Sequence, residues 1–243
     1  MVSAWSERNN IVLGQIKTNE KSNEITAIPL LLELLSTNDC IITIDAMGCQ
    51  KPIREKIISK RGDYVIAIKE NQPKFLNEVI EHIEESIENK SKNMDFYETS
   101  ESDYGRKEIR RYYISDDSES IESADDWDGL NSIGMVERTR ITNGEETINR
   151  SYYICSIEKN AKNFERAVRT HWSIENQFHW KLDVCFREDE CRIRKDNGPE
   201  NFSISRRIAL NLINNEKTSK RGVKAKRKRA GWDSSYLEKV IDS

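Results

Sequence analysis

The chain has 243 residues, 36% apolar and 33% charged, so one large domain or two small ones can bury a core beneath a heavily charged surface. A net charge of −3 selects no partner, and no run approaches the roughly 18 apolar residues of a membrane span. Five cysteines without a C-x-x-C pair, and three histidines without H-E-x-x-H, argue against a disulfide framework and a structural zinc motif.

At the N-terminal end, residues 2–5 and 11–17 are short apolar stretches separated by S-E-R-N-N, which predicts a hairpin. Residues 25–35 carry leucines at helical spacing behind Asn23, a residue suited to an N-cap. A strand over 40–44, a helix near 51–60 and a strand over 64–68 follow. The next helix, 73–89, sets Phe75, Leu76, Val79, Ile80, Ile83 and Ile87 on one side. Strands alternating with helices imply parallel pairing in an α/β layer architecture. The near-continuous apolar run I-I-T-I at 41–44 fits the centre of such a sheet.

After residue 92 the pattern changes. Segments 95–99, 108–114, 133–142 and 147–156 are rich in Tyr, Ile, Thr and charge, with acidic or Gly-containing turns between them, which predicts antiparallel strands. Residues 163–214 return to a helical pattern, and 217–229, with 8 basic residues in 13, read as a flexible tail. Charge is unevenly placed: residues 78–128 hold 17 acidic against 6 basic, and residues 159–232 hold 19 basic against 9 acidic. That is either two solvated faces of opposite sign or one end that meets a polyanion. The opening residues M-V-S-A-W-S-E-R-N-N lack the basic and apolar regions of a signal peptide. Together with unpaired cysteines, this sets the expectation of a soluble cytoplasmic protein.

Two acids stand where chemistry is plausible. Asp45 ends the 41–44 strand, and the carboxyl ends of strands are where open α/β sheets collect ligands and metals. A carboxylate there suits a hard divalent cation, and equally suits a turn or a helix cap. Glu175, in R-T-H-W-S-I-E-N-Q-F-H-W-K-L-D at 169–183, would share a helix face with His171 and His179. It reads either as an ordinary His–Glu–His ladder or as a ligand on the rim of a packed helix. One strand acid and one helix acid, joined to a basic C-terminal half, begin to outline a phosphoryl-transfer site.

Here the residues become specific. T-I-D-A-M-G-C-Q-K at 43–51 and H-W-S-I-E-N-Q-F-H-W-K-L-D-V-C-F-R-E-D at 171–189 resemble the second and third acidic motifs of a bacterial insertion-sequence transposase family. It is the DDE type with an RNase H-like catalytic core, in its ISAs-type branch. The likeness continues through G-D-Y-V-I-A-I-K-E-N-Q at 62–72, C-R-I-R-K-D-N-G-P-E-N at 191–201, R-R-I-A-L-N-L at 206–212 and A-G-W-D-S-S-Y-L at 230–237. It thus covers nearly the whole chain.

The resemblance implies an α/β fold: an RNase H-like mixed sheet flanked by helices, with a β-rich insertion between the second and third acids. It divides the chain into a first part of the core at 1–92, the insertion at 93–158, a helical second part at 159–215 and a basic tail at 216–243. Asp45 and Glu175 become two of three catalytic carboxylates that hold two Mg²⁺ ions for cut-and-paste transposition on double-stranded DNA. The phosphate binders it suggests are Arg187, Arg192, Arg194, Lys195, Arg206 and Arg207, with the tail adding non-specific affinity.

The chain also departs from the family pattern. The first acid, in an Asp-Gly-Lys strand of the relatives, is absent from this sequence, and Asp39 sits at the wrong end of its strand to replace it. The expected sheet therefore lacks its first strand, and the expected chain is a truncated transposase, catalytically incomplete. The broader superfamily places Arg four residues before the third acid and Lys seven after it. Here those positions hold His171 and Leu182, with Lys181 one position earlier, so His171 and Lys181 are expected to face phosphate instead. The alternative is a DNA-binding or dimerising regulator of a full-length transposase, with a homo-oligomer or that transposase as partner and no membrane.

Overall fold

A parallel pair of short strands, β3 (Ile41–Ile44) and β4 (Asp63–Ile68), begins the main sheet in a computed structural model of the chain. Residues 1–18, 24–103, 105–118, 121–127 and 129–243 are described; Asn23, the expected cap of the first helix, lies outside them. The chain divides into two compact units, a central one over Ser36–His171 and a terminal one combining Met1–Leu35 with Trp172–Ser243.

In the central unit six strands line up in the order β3-β4-β8-β7-β6-β5. Helix α2 (Lys51–Ser59) makes the crossover from β3 to β4 and buries Ile53 and Ile57 completely. Gly62 lets the chain turn tightly into β4, since a Cβ there would stand 2.8 Å from Ile42 and 3.0 Å from the Thr37 carbonyl. Helix α3 (Pro73–Glu88) lays Phe75, Val79 and Ile83 on the sheet, the apolar face expected from spacing.

Then come four long antiparallel strands: β5 (Met94–Asp103), β6 (Arg106–Ser115), β7 (Ser132–Thr142) and β8 (Glu145–Cys155). Asn143 and Gly144 join β7 to β8 with φ of 53° and 85°, the left-handed pair that a two-residue hairpin requires. This β-rich stretch does not stand apart as a separate sheet. Strand β8 pairs antiparallel with β4, so all six strands form one mixed sheet flanked by helices.

That pairing corrects one expectation. The I-I-T-I strand is at the sheet's edge rather than its centre, because β4's other side is taken by β8 and β3 pairs only with β4 among the described residues. Ile41 is accordingly 46% exposed, while Tyr64 and Ile66 on β4 are fully buried.

Helix α4 (Ala161–Ile174) covers the sheet with Phe164, whose ring meets Tyr112 and Tyr153 edge-on at 6.4 and 5.4 Å. Gly134 on β7 makes room for it: a Cβ there would lie 2.5 Å from the Phe164 ring. Beyond this core the strands hold their charges in ladders. Glu108, 4% exposed, is surrounded by Arg106, Arg110 and Arg140. Glu137 lies between Arg111 and Arg150, 2.9 Å from each. Burial pushes both carboxyls up and their arginine partners pull them down further, leaving both below the usual carboxylate range.

The terminal unit starts with the expected hairpin, β1 (Val2–Ser6) with β2 (Ile11–Ile16), followed by α1 (Glu24–Leu34). Its remaining helices are α5 (Trp180–Phe186), α6 (Gly198–Asn215), α7 (Val223–Ala230) and α8 (Ser234–Ile241). Asn211 on α6 mimics a strand neighbour: its carboxamide accepts from Val12 N–H at 2.8 Å and donates to Val12 C=O at 2.9 Å. Trp5 stacks on Phe178 at 5.4 Å, and Phe178, Leu182, Phe186, Leu210, Tyr236 and Val240 complete the core.

The flexible tail is not what the structure shows. Residues 223–241 form two helices because their charges are spent internally. Lys226 is buried against Glu216, Arg229 pairs with Asp233 at 3.0 Å and lies over the Tyr236 ring, and Arg227 lies over Phe186.

Candidate functional site

Asp45 follows directly from how β3 ends. The strand stops, residues Ala46–Gly48 make one tight 3₁₀ turn, and the Asp45 carbonyl accepts the Gly48 N–H at 3.0 Å. The side chain is exposed and makes no capping hydrogen bond, so the simple cap role is absent. The loop behind it is nonetheless fixed. Asn71 Nδ2 donates to the Ala46 carbonyl at 2.7 Å, and Gln72 Nε2 donates to the Cys49 carbonyl at 3.2 Å. Ala46, Gly48 and Cys49 are buried beneath, and burial raises the Cys49 thiol to about 12, against a smaller opposing pull from Arg54, so it stays protonated.

Asn71 and Gln72 are functional candidates that reading the sequence for acids passes over. Their signal is positional: two carboxamides end the segment G-D-Y-V-I-A-I-K-E-N-Q, just past the carboxyl end of the strand parallel to Asp45's own. His171 is tied to the same strand, with Nδ1 3.2 Å from the Thr43 hydroxyl, two residues before Asp45.

Glu175 belongs to the other unit, so the two acids are divided between them. It opens a five-residue π turn, Glu175–His179, inserted between α4 and α5. Wider turns of this kind cluster at functional sites. The π turn breaks the regular i, i+4 alignment that the expected His–Glu–His ladder needs. His179 instead lies against Phe178, ring centroids 4.9 Å apart. Glu175 is exposed, so water can solvate its charge, and burial does not oblige it to find a partner.

The expected phosphate binders separate into two groups. Arg192, Arg194 and Lys195 are exposed on the loop before α6; Arg194 also donates to the Cys191 and Ile193 carbonyls at 2.9 and 2.8 Å. Arg187 is exposed but pairs with Glu190. Arg207 is different. It is 8% exposed, donates to Glu188 at 2.8 Å and to Ser3 at 3.2 Å, and lies over the Phe178 ring. Its charge is spent inside the terminal unit, which places it in packing rather than on a phosphate surface. Arg206 leans the same way, 3.8 Å from Glu188 and over Phe202. Lys181 is half-buried, and burial holds its amine below the ordinary lysine range. Along 217–229, Lys217, Lys220, Arg221, Lys224 and Lys228 remain exposed.

This geometry can be set beside known proteins. The family described as Transposase DDE domain matches residues 1–212. The "H repeat-associated putative transposase YhhI" of Escherichia coli K12 is 42% identical over 246 residues, covering 99% of this chain and 65% of that protein. The "Putative transposase YncI" of Escherichia coli O157:H7 is 42% identical over 247 residues, covering 100% of this chain and 63% of that protein. The chain thus spans a little under two thirds of the length of these curated relatives. No helix among the described residues is long and apolar enough to cross a membrane. With the family matched over most of the chain, and a six-stranded mixed sheet flanked by helices beneath it, this chain belongs to the transposase DDE domain family.

Proposed function

We propose that the chain acts in DNA transposition, with Asp45 and Glu175 as two carboxylates of a centre that cuts and joins phosphodiesters at the ends of a bacterial insertion sequence. The observation that best supports this is Asp45: an exposed carboxylate, free of capping duty, on a loop held by two side-chain hydrogen bonds. A fixed acid with uncommitted oxygens at a strand's carboxyl end suits a hard cation.

The oxygens of Asp45 and Glu175 are the right kind of donor for Mg²⁺, and these residues would hold it. Among the described residues no group of three His, Cys, Asp or Glu side chains is gathered for a metal. When bound, such ions neutralise the phosphate and lower the pKa of an attacking water or 3′-hydroxyl. The chain's own residues supply position. Asn71 and Gln72 hold the Asp45 loop, and His171 is anchored to its strand. Arg192, Arg194, Lys195 and the exposed cations of 217–229 supply phosphate contacts.

Taken alone, the 243 residues bring two of the three carboxylates that this chemistry uses, so the chain by itself is proposed to bind DNA without cutting it. A second reading, a regulator that occupies element ends or a full-length transposase, is favoured by the exposed cations, which need no acid site to grip a backbone.

The test is a gel shift and a cleavage assay on labelled duplexes carrying element ends or scrambled ends, with and without Mg²⁺. Binding is expected to weaken with salt by roughly 0.9 logarithmic units per phosphate contacted, with no Mg²⁺-dependent cut. Strong cleavage that Asp45→Asn abolishes would overturn the claim of silence. Absence of any salt-dependent binding would overturn the DNA reading itself.

A further inference from the structure

We propose that the groove between α6, α7 and α8 is a self-association surface, in which Trp232 of each copy fills the groove of a second copy of this chain. The proposal is independent of the DNA reading and uses only the terminal unit.

The groove has a volume of about 260 Å³ and is walled by Ala209, Leu212, Ile213, Ala230, Leu237 and Val240. That is below the roughly 300–1,000 Å³ of small-molecule sites, and its apolar walls lack the few placed polar groups that orient such a ligand. An apolar side chain fits it better than a metabolite. Trp232 stands at its lip, next to Gly231, which lines the groove. It is 74% exposed, more than any other large apolar residue among those described.

The indole is mounted on a fixed turn rather than a loose one. Asp233 accepts the Tyr236 N–H at 3.0 Å and pairs with Arg229 at 3.0 Å, while the Trp232 N–H bonds the Arg229 carbonyl at 3.1 Å. A pre-set aromatic loses little entropy when a partner covers it, which is why Trp is common at the centre of interfaces. Ile208 and Ile241, 54% and 58% exposed, extend the same apolar surface.

Two features select a second copy as the occupant. First, knob and hole lie on one patch, which is the self-complementarity that a two-fold dimer requires. Second, the flanks carry opposite charge: exposed Lys224 and Lys228 on α7, exposed Glu238 and Asp242 on α8. A two-fold operation through the groove exchanges the flanks and can set each copy's acids opposite the other's bases.

The experiment is sedimentation equilibrium of the full chain, in reductant, over a wide concentration range. A reversible dimer is expected, at twice the 28.3 kDa chain mass. Trp232→Ala should weaken it roughly thirty-fold or more, as truncating a central anchor does, with unchanged circular dichroism and unfolding midpoint because the side chain is exposed. Reversing the α8 charges with Glu238→Lys and Asp242→Lys should also weaken it. Adding Lys224→Glu and Lys228→Glu should restore it. A chain that stays monomeric throughout overturns the proposal. So does a dimer indifferent to Trp232→Ala, which would be built on another surface.

Discussion

The sharpest test of the terminal unit is Glu216→Gln. Glu216 follows α6 with its side chain 1% exposed. Its carboxylate accepts from the Thr218 N–H at 2.6 Å, the Thr218 hydroxyl, the Tyr236 hydroxyl at 2.7 Å and the Ser219 N–H at 3.2 Å. The Lys226 ammonium is 3.3 Å away and also donates to the Glu216 carbonyl. Burial alone would raise this carboxyl, but the bonds from Thr218, Tyr236 and Lys226 outweigh it and bring the carboxyl from 4.5 down to about 2.

At about 1.4 kcal/mol per pH unit, that gap sets a ceiling of about 3 kcal/mol for the charged form. Gln keeps the shape and one acceptor oxygen but leaves Lys226 buried without its counter-charge, so about 2–3 kcal/mol should be lost at pH 7. The sign is fixed by the depressed pKa: the contribution is fully present above 4.5 and fades as pH falls toward 2. The difference between native chain and variant should therefore be flat at neutral pH and shrink below pH 4.5. Urea unfolding followed by tryptophan fluorescence, at pH 7 and at pH 3, measures it. A difference under about 0.5 kcal/mol at pH 7, within the range of ordinary surface substitutions, or one that does not shrink at pH 3, would refute this account.

Two further predictions concern the central unit. Gly134→Ala forces a methyl to within 2.5 Å of the Phe164 ring, so it should cost about 1–3 kcal/mol by overpacking, read as a lowered unfolding midpoint. Asn71→Ala removes the donor to the Ala46 carbonyl and should cost about 1 kcal/mol locally, seen as faster amide exchange of the Asp45–Gln50 loop with little change in global stability.

Much of this fold was legible because its signals are local. The 3.6-residue spacing of Phe75, Val79 and Ile83, the Asn143–Gly144 turn and the alternation in the four long strands each follow from short-range chemistry. What was not legible depends on who sits beside whom. An apolar strand looks the same at an edge as at a centre, and only the return of β8 onto β4 decides which β3 is. The tail's 8 basic residues read as loose because composition counts charges and not partners. Glu216 and Asp233 turn three of those bases' neighbourhood into a packed helix pair. At the candidate site, Asp45 could be placed from its strand alone, whereas Asn71 and Gln72 act through contacts 25 and 23 residues away in sequence. The π turn at Glu175 leaves no mark in the hydrophobic spacing, which is why a regular helix face was expected.

The same distinction bears on what the basic half of the chain can do. A cation buried against a carboxylate cannot neutralise a phosphate without first breaking a pair, and stranding a buried charge costs about 3–5 kcal/mol. Arg207 and Lys226 are held that way, and half-exposed Arg229 is bound to Asp233 more weakly. Along β5–β8, Glu108 and Glu137 likewise occupy Arg106, Arg110, Arg140, Arg111 and Arg150. The cations left for an outside polyanion are the exposed ones of the 187–197 loop and of 217–229. Electrostatic reach toward DNA therefore belongs to the terminal unit, while the arginines of the long strands serve mainly to hold those strands together. A charge asymmetry that begins as a difference in composition becomes, in the fold, a difference in which cations are free to leave their partners.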